Sequence, residues 1–259
     1  MLSDLLPYHR YIRQNALRDI QHRYAGTGLG LFWHVISPVL QISVYYYVFT
    51  QKMHIDYPLP GVFPKFSFAV YLCSGMLPWI SFTEAVVRGT GTFQENATYL
   101  KKLPIPGPVF VAKTAAAATI QLAISVSVLV VLCMAVGLRP MWTWCLLPVI
   151  CILWQTMGFG LGLLLGTLNV FFRDVLQVLI VTLQMWMWTL PIVYPDGDVQ
   201  ALALLNPPYA FVMAIRAVFL HGVLPATSVW SAMVAWTVVL VTAGMLVYRA
   251  LQAELRDVL

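Results

Sequence analysis

Long apolar runs, each about the length of a bilayer-crossing helix, leave this chain few ways to fold. A span needs roughly 20 apolar residues, and six stretches qualify: about 31–51, 66–88, 109–137, 142–167, 175–194 and 228–248. Only 10% of the 259 residues are charged and 60% are hydrophobic, whereas soluble domains run at about 25% charged. A water-soluble fold does not fit those figures. The expectation is an all-α membrane protein with six transmembrane helices in one polytopic domain, 31–259, preceded by a cytoplasmic amino-terminus, 1–30. The chain shows no tandem repeat and no low-complexity tract.

Residues 5–24 are polar and basic, yet Leu5, Tyr8, Ile12, Ala16 and Ile20 recur every three or four positions. That period predicts an amphipathic helix, with Arg13 and Asp19 at the edges of its stripe. A helix lying in the membrane interface suits this pattern; a solvated helix with no special role is the alternative. No cleavable signal peptide is expected, because the first 30 residues hold Arg10, Arg13, Arg18 and Arg23 and no apolar core. Gly26, Gly28 and Gly30 then permit backbone geometry that other residues resist. They predict a hinge that turns the chain into the first span.

The stretch 199–222 is apolar but broken by Asn206-Pro207-Pro208. The piece beyond the break, 209–220, is too short to cross a bilayer, and His221-Gly222 reads as a helix stop. A re-entrant hairpin over 195–227, packed near a pore mouth, is the natural expectation. With both termini inside, Arg10, Arg13, Arg18, Arg23, Arg88, Lys101, Lys102, Lys113, Arg173, Arg249 and Arg256 are cytoplasmic, leaving Lys52, Lys65, Arg139 and Arg216 outside. This follows the positive-inside rule. An extra span in the hairpin would place Arg249 and Arg256 outside and weaken it. The net charge of +5 is thus assigned to topology rather than to nucleic acid or another acidic partner.

Several features carry candidate chemistry. Within the segment 89–108, Thr92 and Glu95 have capping-box spacing, predicting a short helix that Pro104 stops. Phe93, Ala97 and Leu100 would share one face, and Glu95, Thr98 and Lys102 the other. Such a helix is what a membrane protein presents to a soluble partner; a plain connecting loop is the alternative. Arg173-Asp174 forms a very short turn between spans, either a surface anchor or a lever. Glu84 reads as a buried functional acid or as the partner of Arg88 four residues on. Gly158, Gly162 and Gly166 make a smooth ridge that serves packing within a subunit or dimerisation.

Aromatics are abundant. Tyr45, Tyr46, Trp79, Phe82, Trp186 and Trp188 are candidate linings for a path along which a sugar chain slides, with interface belts and core packing as the competing roles. Cys73, Cys133, Cys145 and Cys151 lie in apolar runs without metal-ligand spacing, so no metal site is expected. The chain has no phosphate-binding GxxxxGK[ST] loop, zinc motif or GxSxG elbow. It also lacks a chain of intramembrane acids or histidines for proton coupling. A transporter built this way must borrow its energy.

Arg18-Asp19 with Arg23-Tyr24, then Thr27, Leu29-Gly30, Trp33 and Pro38, resembles the start of an ABC-2 type polysaccharide export permease. Phe172-Arg173-Asp174, Pro191-Ile192-Val193-Tyr194-Pro195, Asn206-Pro207, and Arg216 with Leu220 and Gly222 resemble its second half, so the likeness covers nearly the whole chain. O-antigen permeases are the nearest in kind, then teichoic-acid and capsule permeases. The resemblance implies a homodimer in the bacterial inner membrane, bound to two separate ATPase subunits that use ATP and magnesium, with no cofactor on this chain. It implies that 89–106 supplies the coupling helix, with Phe93, Gln94, Glu95, Asn96, Lys101 and Lys102 facing the ATPase. It further implies a cytoplasmic entrance built from Arg18, Arg23, Tyr24, Leu29, Gly30 and Trp33. Arg18 and Arg23 are candidates for a lipid pyrophosphate, since guanidinium forks match phosphate oxygens, or else are ordinary anchors. The hairpin becomes a periplasmic gate. Two rival readings are an exporter of capsule, teichoic acid, lipid or drug, and a membrane enzyme acting on a polyprenyl-linked lipid.

Overall fold

In lipid, a backbone with no closed barrel available must satisfy its polar groups within helices. Every regular element among the described residues of the computed structural model is helical. Those residues are 6–23, 27–52, 59, 61–102, 105–193 and 205–259. The helices are α1 (His9–Arg23), α2 (Trp33–Tyr45), α3 (Pro64–Glu95), α4 (Ala97–Lys102), α5 (Gly107–Ala135), α6 (Leu147–Phe171), α7 (Val175–Met187), α8 (Pro207–Phe219) and α9 (Thr227–Val258).

Four stretches are long and apolar enough to cross a bilayer: α3, α5, α6 with its leading turn from Trp142, and α9 to Leu255. They coincide with the predicted second, third, fourth and sixth spans. The expected first and fifth spans are shorter helices. α2 continues as a π-helical turn over Tyr46–Lys52. α7 stops at Met187, short of the expected 194, where turns through Trp188–Leu190 lead into Pro191, which has no N–H to continue a helix. α8 is short, as the Asn206-Pro207-Pro208 break predicts, with Pro207 in its first turn. Residues 195–204 of the expected hairpin lie outside the described residues.

α6 is the central post, because its glycines let two neighbours approach backbone to backbone. A Cβ at Gly160 would lie 2.5 Å from the Val241 nitrogen, and one at Gly244 would lie 2.5 Å from the Gly160 oxygen. Only glycine lets α6 and α9 meet there. On another face, a Cβ at Gly162 would sit 3.3 Å from the Gly89 Cα, and one at Gly166 would sit 2.8 Å from the Gly89 oxygen. The Gly158–Gly166 ridge therefore packs on α3 within this chain. Trp154, fully buried, donates its indole N–H to the Pro78 carbonyl of α3 at 3.1 Å and meets Phe82 and Phe211 edge-on.

α1 sets Ala16 and Ile20 against Ala117 of α5. Part of the stripe expected to face lipid is thus covered by protein. Arg88 of α3 bonds Glu84 at 3.4 Å, the expected helical pair, and also Asp19 of α1 at 2.5 Å. The hinge after α1 closes at Gly30, whose φ of +49 favours glycine. Its N–H donates to the Thr27 carbonyl and hydroxyl.

Candidate coupling site and buried latch

The capping box expected at Thr92 and Glu95 does not form. Residues 89–93 are buried and helical, so α3 runs straight through them to Glu95. The break comes at Asn96, whose side-chain amide donates back to the Thr92 carbonyl at 2.8 Å. α4 follows as a separate helix of six residues. Its inner side is anchored. Phe93 is fully buried, stacks on Tyr248 of α9 with ring centroids 5.9 Å apart, and shares a core with Leu100, Phe110 and Leu255. Phe93 is therefore a support of this element and not a contact surface, a correction to its expected role.

The Tyr248 hydroxyl accepts the Gly107 N–H at 3.0 Å. That N–H heads α5 and would otherwise lack an intrahelical acceptor. A Cβ at Gly107 would fall 2.8 Å from the Tyr248 ring, so another residue here would have to displace that ring. Tyr248 thereby clamps both borders of the α4 segment, the end of α3 and the start of α5.

The outer side is polar. Gln94, Glu95, Thr98, Lys101 and Lys102 are exposed, as is Tyr99 at 58%. Asn96 is half-buried. The Tyr11 phenol of α1 is pushed above its ordinary value, chiefly by burial and then by Tyr99. Arg173 and Asp174 lie exposed in the turn from α6 to α7.

The entrance residues are less gathered. Arg18 and Leu29 are exposed, Gly30 and Trp33 are half-buried, and Arg23 closes α1. Tyr24 lies outside the described residues.

Among the six aromatics expected along a path, Trp79 and Phe82 are 3% and 0% exposed, in the core of this chain. They pack on Trp186 and Trp154 respectively, which corrects their expected role as lining. Tyr45, Tyr46 and Trp186 are half-buried, and Trp188 is exposed. Tyr46 stacks on Phe66 at 4.8 Å. The Trp186 indole donates to Asn206 at 2.8 Å, tying α7 to the break before α8.

Sequence reasoning counted Arg216 on the outer side, within the hairpin 195–227; the structure buries it, 2% exposed, in α8. Its guanidinium lies 3.7 Å over the Tyr71 ring and donates to the Tyr71 hydroxyl at 2.7 Å. It also donates to the carbonyls of Pro191 and, at 3.1 Å, Ile192. Those carbonyls lie in the turns that follow α7, so a buried cation here ties α3 and α8 to the segment leaving α7. A lone arginine among Ala214, Ile215, Val218 and Phe219 was the available signal, since intramembrane charges are costly and usually partnered. At the far end of α8, Thr143 and Trp144 donate to the Val218 and Phe219 carbonyls.

Among the described residues no three His, Cys, Asp or Glu side chains gather into a metal-holding group. What the arrangement offers instead is a rigid helical bundle with one polar element mounted on its end.

The ABC-2 type transporter family matches residues 10–220. The chain is 28% identical to the O-antigen export system permease protein RfbA of Myxococcus xanthus, over 99% of this chain and 98% of that protein. It is 24% identical to an O-antigen export system permease protein RfbA of Klebsiella pneumoniae, over 93% and 92%. It is 22% identical to the polysialic acid transport protein KpsM of Escherichia coli, over 90% of each. The chain belongs to the ABC-2 type transporter family, as a multi-pass membrane subunit that transports rather than catalyses.

Proposed function

We propose that this chain is the channel-forming membrane subunit of an exporter of lipid-linked polysaccharide, of the O-antigen kind. It works in the bacterial inner membrane with six spans and both termini in the cytoplasm. In this reading it forms a homodimer bound to two ATPase subunits, which handle ATP and magnesium. The relatives named for O-antigen export, and the one named for polysialic acid transport, support a polysaccharide cargo.

One observation carries the mechanism. α4 turns a polar, exposed face outward while Phe93, Leu100 and Tyr248 fix its other face to α3, α5 and α9. A mounted element of that kind passes a push from a soluble partner into three spans at once. Gln94, Glu95, Asn96, Lys101 and Lys102 would meet the ATPase, with Arg173-Asp174 as a second lever. Arg18 and the Leu29-Gly30 turn would flank the entrance for the lipid pyrophosphate. Trp188, with Tyr45, Tyr46 and Trp186, would give the sugar chain stacking surfaces. Arg216 would hold the outer gate.

Proteoliposomes containing this chain and its ATPase should move lipid-linked polysaccharide only when ATP is supplied. The chain alone should hydrolyse none. Transport by the chain alone, or hydrolysis without the partner, would overturn the proposal.

A further inference from the structure

The turn from α6 to α7 is held by one buried side chain that also reaches α3. Asn169, 1% exposed, sits near the end of α6. Its Oδ1 accepts the Leu176 N–H at 3.2 Å. Leu176 lies in the first turn of α7, where N–H groups have no intrahelical acceptor. The residue before that helix, Asp174, makes no side-chain cap bond. Asn169 therefore caps α7 from the preceding helix.

The other half of its amide points the opposite way. Asn169 Nδ2 donates to the Thr90 carbonyl of α3 at 3.3 Å. Gln94 of α3 donates to the Asn169 main-chain oxygen at 2.9 Å. An N–H on one side and a carbonyl on the other fix the amide orientation, since a flipped group would face donor to donor and acceptor to acceptor. Beside this bridge, Gly162 and Gly166 lie against Gly89 with no room for a Cβ at 166. α3 and α6 therefore move as one body here.

α7 is held more lightly. Only Leu179 and Leu183 of that helix are buried, while Val178, Val181 and Met185 are exposed. The last turn of α3 leads through Asn96 directly into α4. A displacement applied to α4 thus reaches Thr90 and Gln94 first, then Asn169, then the first turn of α7.

We propose that Asn169 is the positioning residue that carries motion of α4 to α7, setting the direction in which α7 leaves the turn. This rests on the reading of α4 as the ATPase-docking element. The coupling is specific to an amide. Alanine removes both arms of the bridge, and aspartate keeps an acceptor for Leu176 but has no donor for Thr90.

The test uses the complex of the full chain with its ATPase, comparing wild type, N169A and N169D in proteoliposomes. Hydrolysis and export are measured together, with amide hydrogen exchange over 97–102 and 175–180 with and without a non-hydrolysable ATP analogue. Both variants should keep the complex and continue to hydrolyse ATP, while export per ATP falls roughly tenfold, within the usual range of coupling between sites. The analogue should still alter exchange over 97–102 but no longer over 175–180. Equal export per ATP in N169D and wild type would overturn the proposal. So would a proportional loss of hydrolysis and export in both variants, or an unchanged response over 175–180. Failure of the wild-type chain to bind any ATPase would instead strike the permease reading, and is told apart by that control.

Discussion

Arg216 and Tyr248 show how single side chains hold this bundle where helices end. A guanidinium gives several donors in a rigid plane and stacks on aromatic faces, which an ammonium cannot match. R216K should keep the charge yet lose the Tyr71 stacking and part of the bonding to Pro191 and Ile192. Charge-assisted bonds contribute about 1.5–3 kcal/mol, so a loss of about that size is expected for R216K, read as a lower unfolding temperature in detergent. R216M should cost more, since it removes every guanidinium bond and leaves the Ile192 carbonyl without the donor it has here. Y248F removes the acceptor of the Gly107 N–H. A buried donor left unsatisfied costs about 1–3 kcal/mol, and the thermal transition of purified Y248F should drop accordingly. An unchanged transition in either case would show that the contact carries no stability.

At the scale of elements, α6 derives its neighbours from glycine. G160A and G244A should each prevent a monodisperse protein, because the added Cβ meets main-chain atoms at 2.5 Å. G158A should cost less than either, since its Cβ meets the Phe82 and Ala85 side chains at 3.3 and 3.5 Å and the Phe82 ring need give only a few tenths of an ångström. Size-exclusion profiles of the three separate backbone approach from ordinary packing. The long spans were legible because runs of apolar residues leave helix as the only option in lipid. The end of α3 was misread for a physical reason. Thr92 and Glu95 have the spacing of a cap, but Gly89, Thr90, Gly91 and Phe93 are buried, so packing carries the helix through them. The small-residue ridge fitted two partners in sequence, and only the geometry of Gly89 assigned it to α3. α7 was read too long because apolarity continues past Met187 while the helix does not.

As a whole, the molecule is a bundle fixed around α6, with α4 mounted outside it and α7 lightly held. The polar face of α4 was legible in part. Lys101 and Lys102 announce a polar surface after the second run, whereas the burial of Phe93 depends on Tyr248, 155 positions further along the chain. The partners of Arg216 and Asn169 were hidden for the same reason, since those on α3 lie 145 and 79 positions away. The proposal that α4 docks an ATPase is tested by co-purifying the tagged chain with ABC ATPases of its own organism. Wild type is compared with a Y99A/K101E/K102E variant, whose changes touch only exposed side chains. The account predicts a stable complex for the wild type and its loss in a variant that remains monodisperse. An ATPase that fails to bind the folded wild type, or that binds the variant equally well, would contradict it.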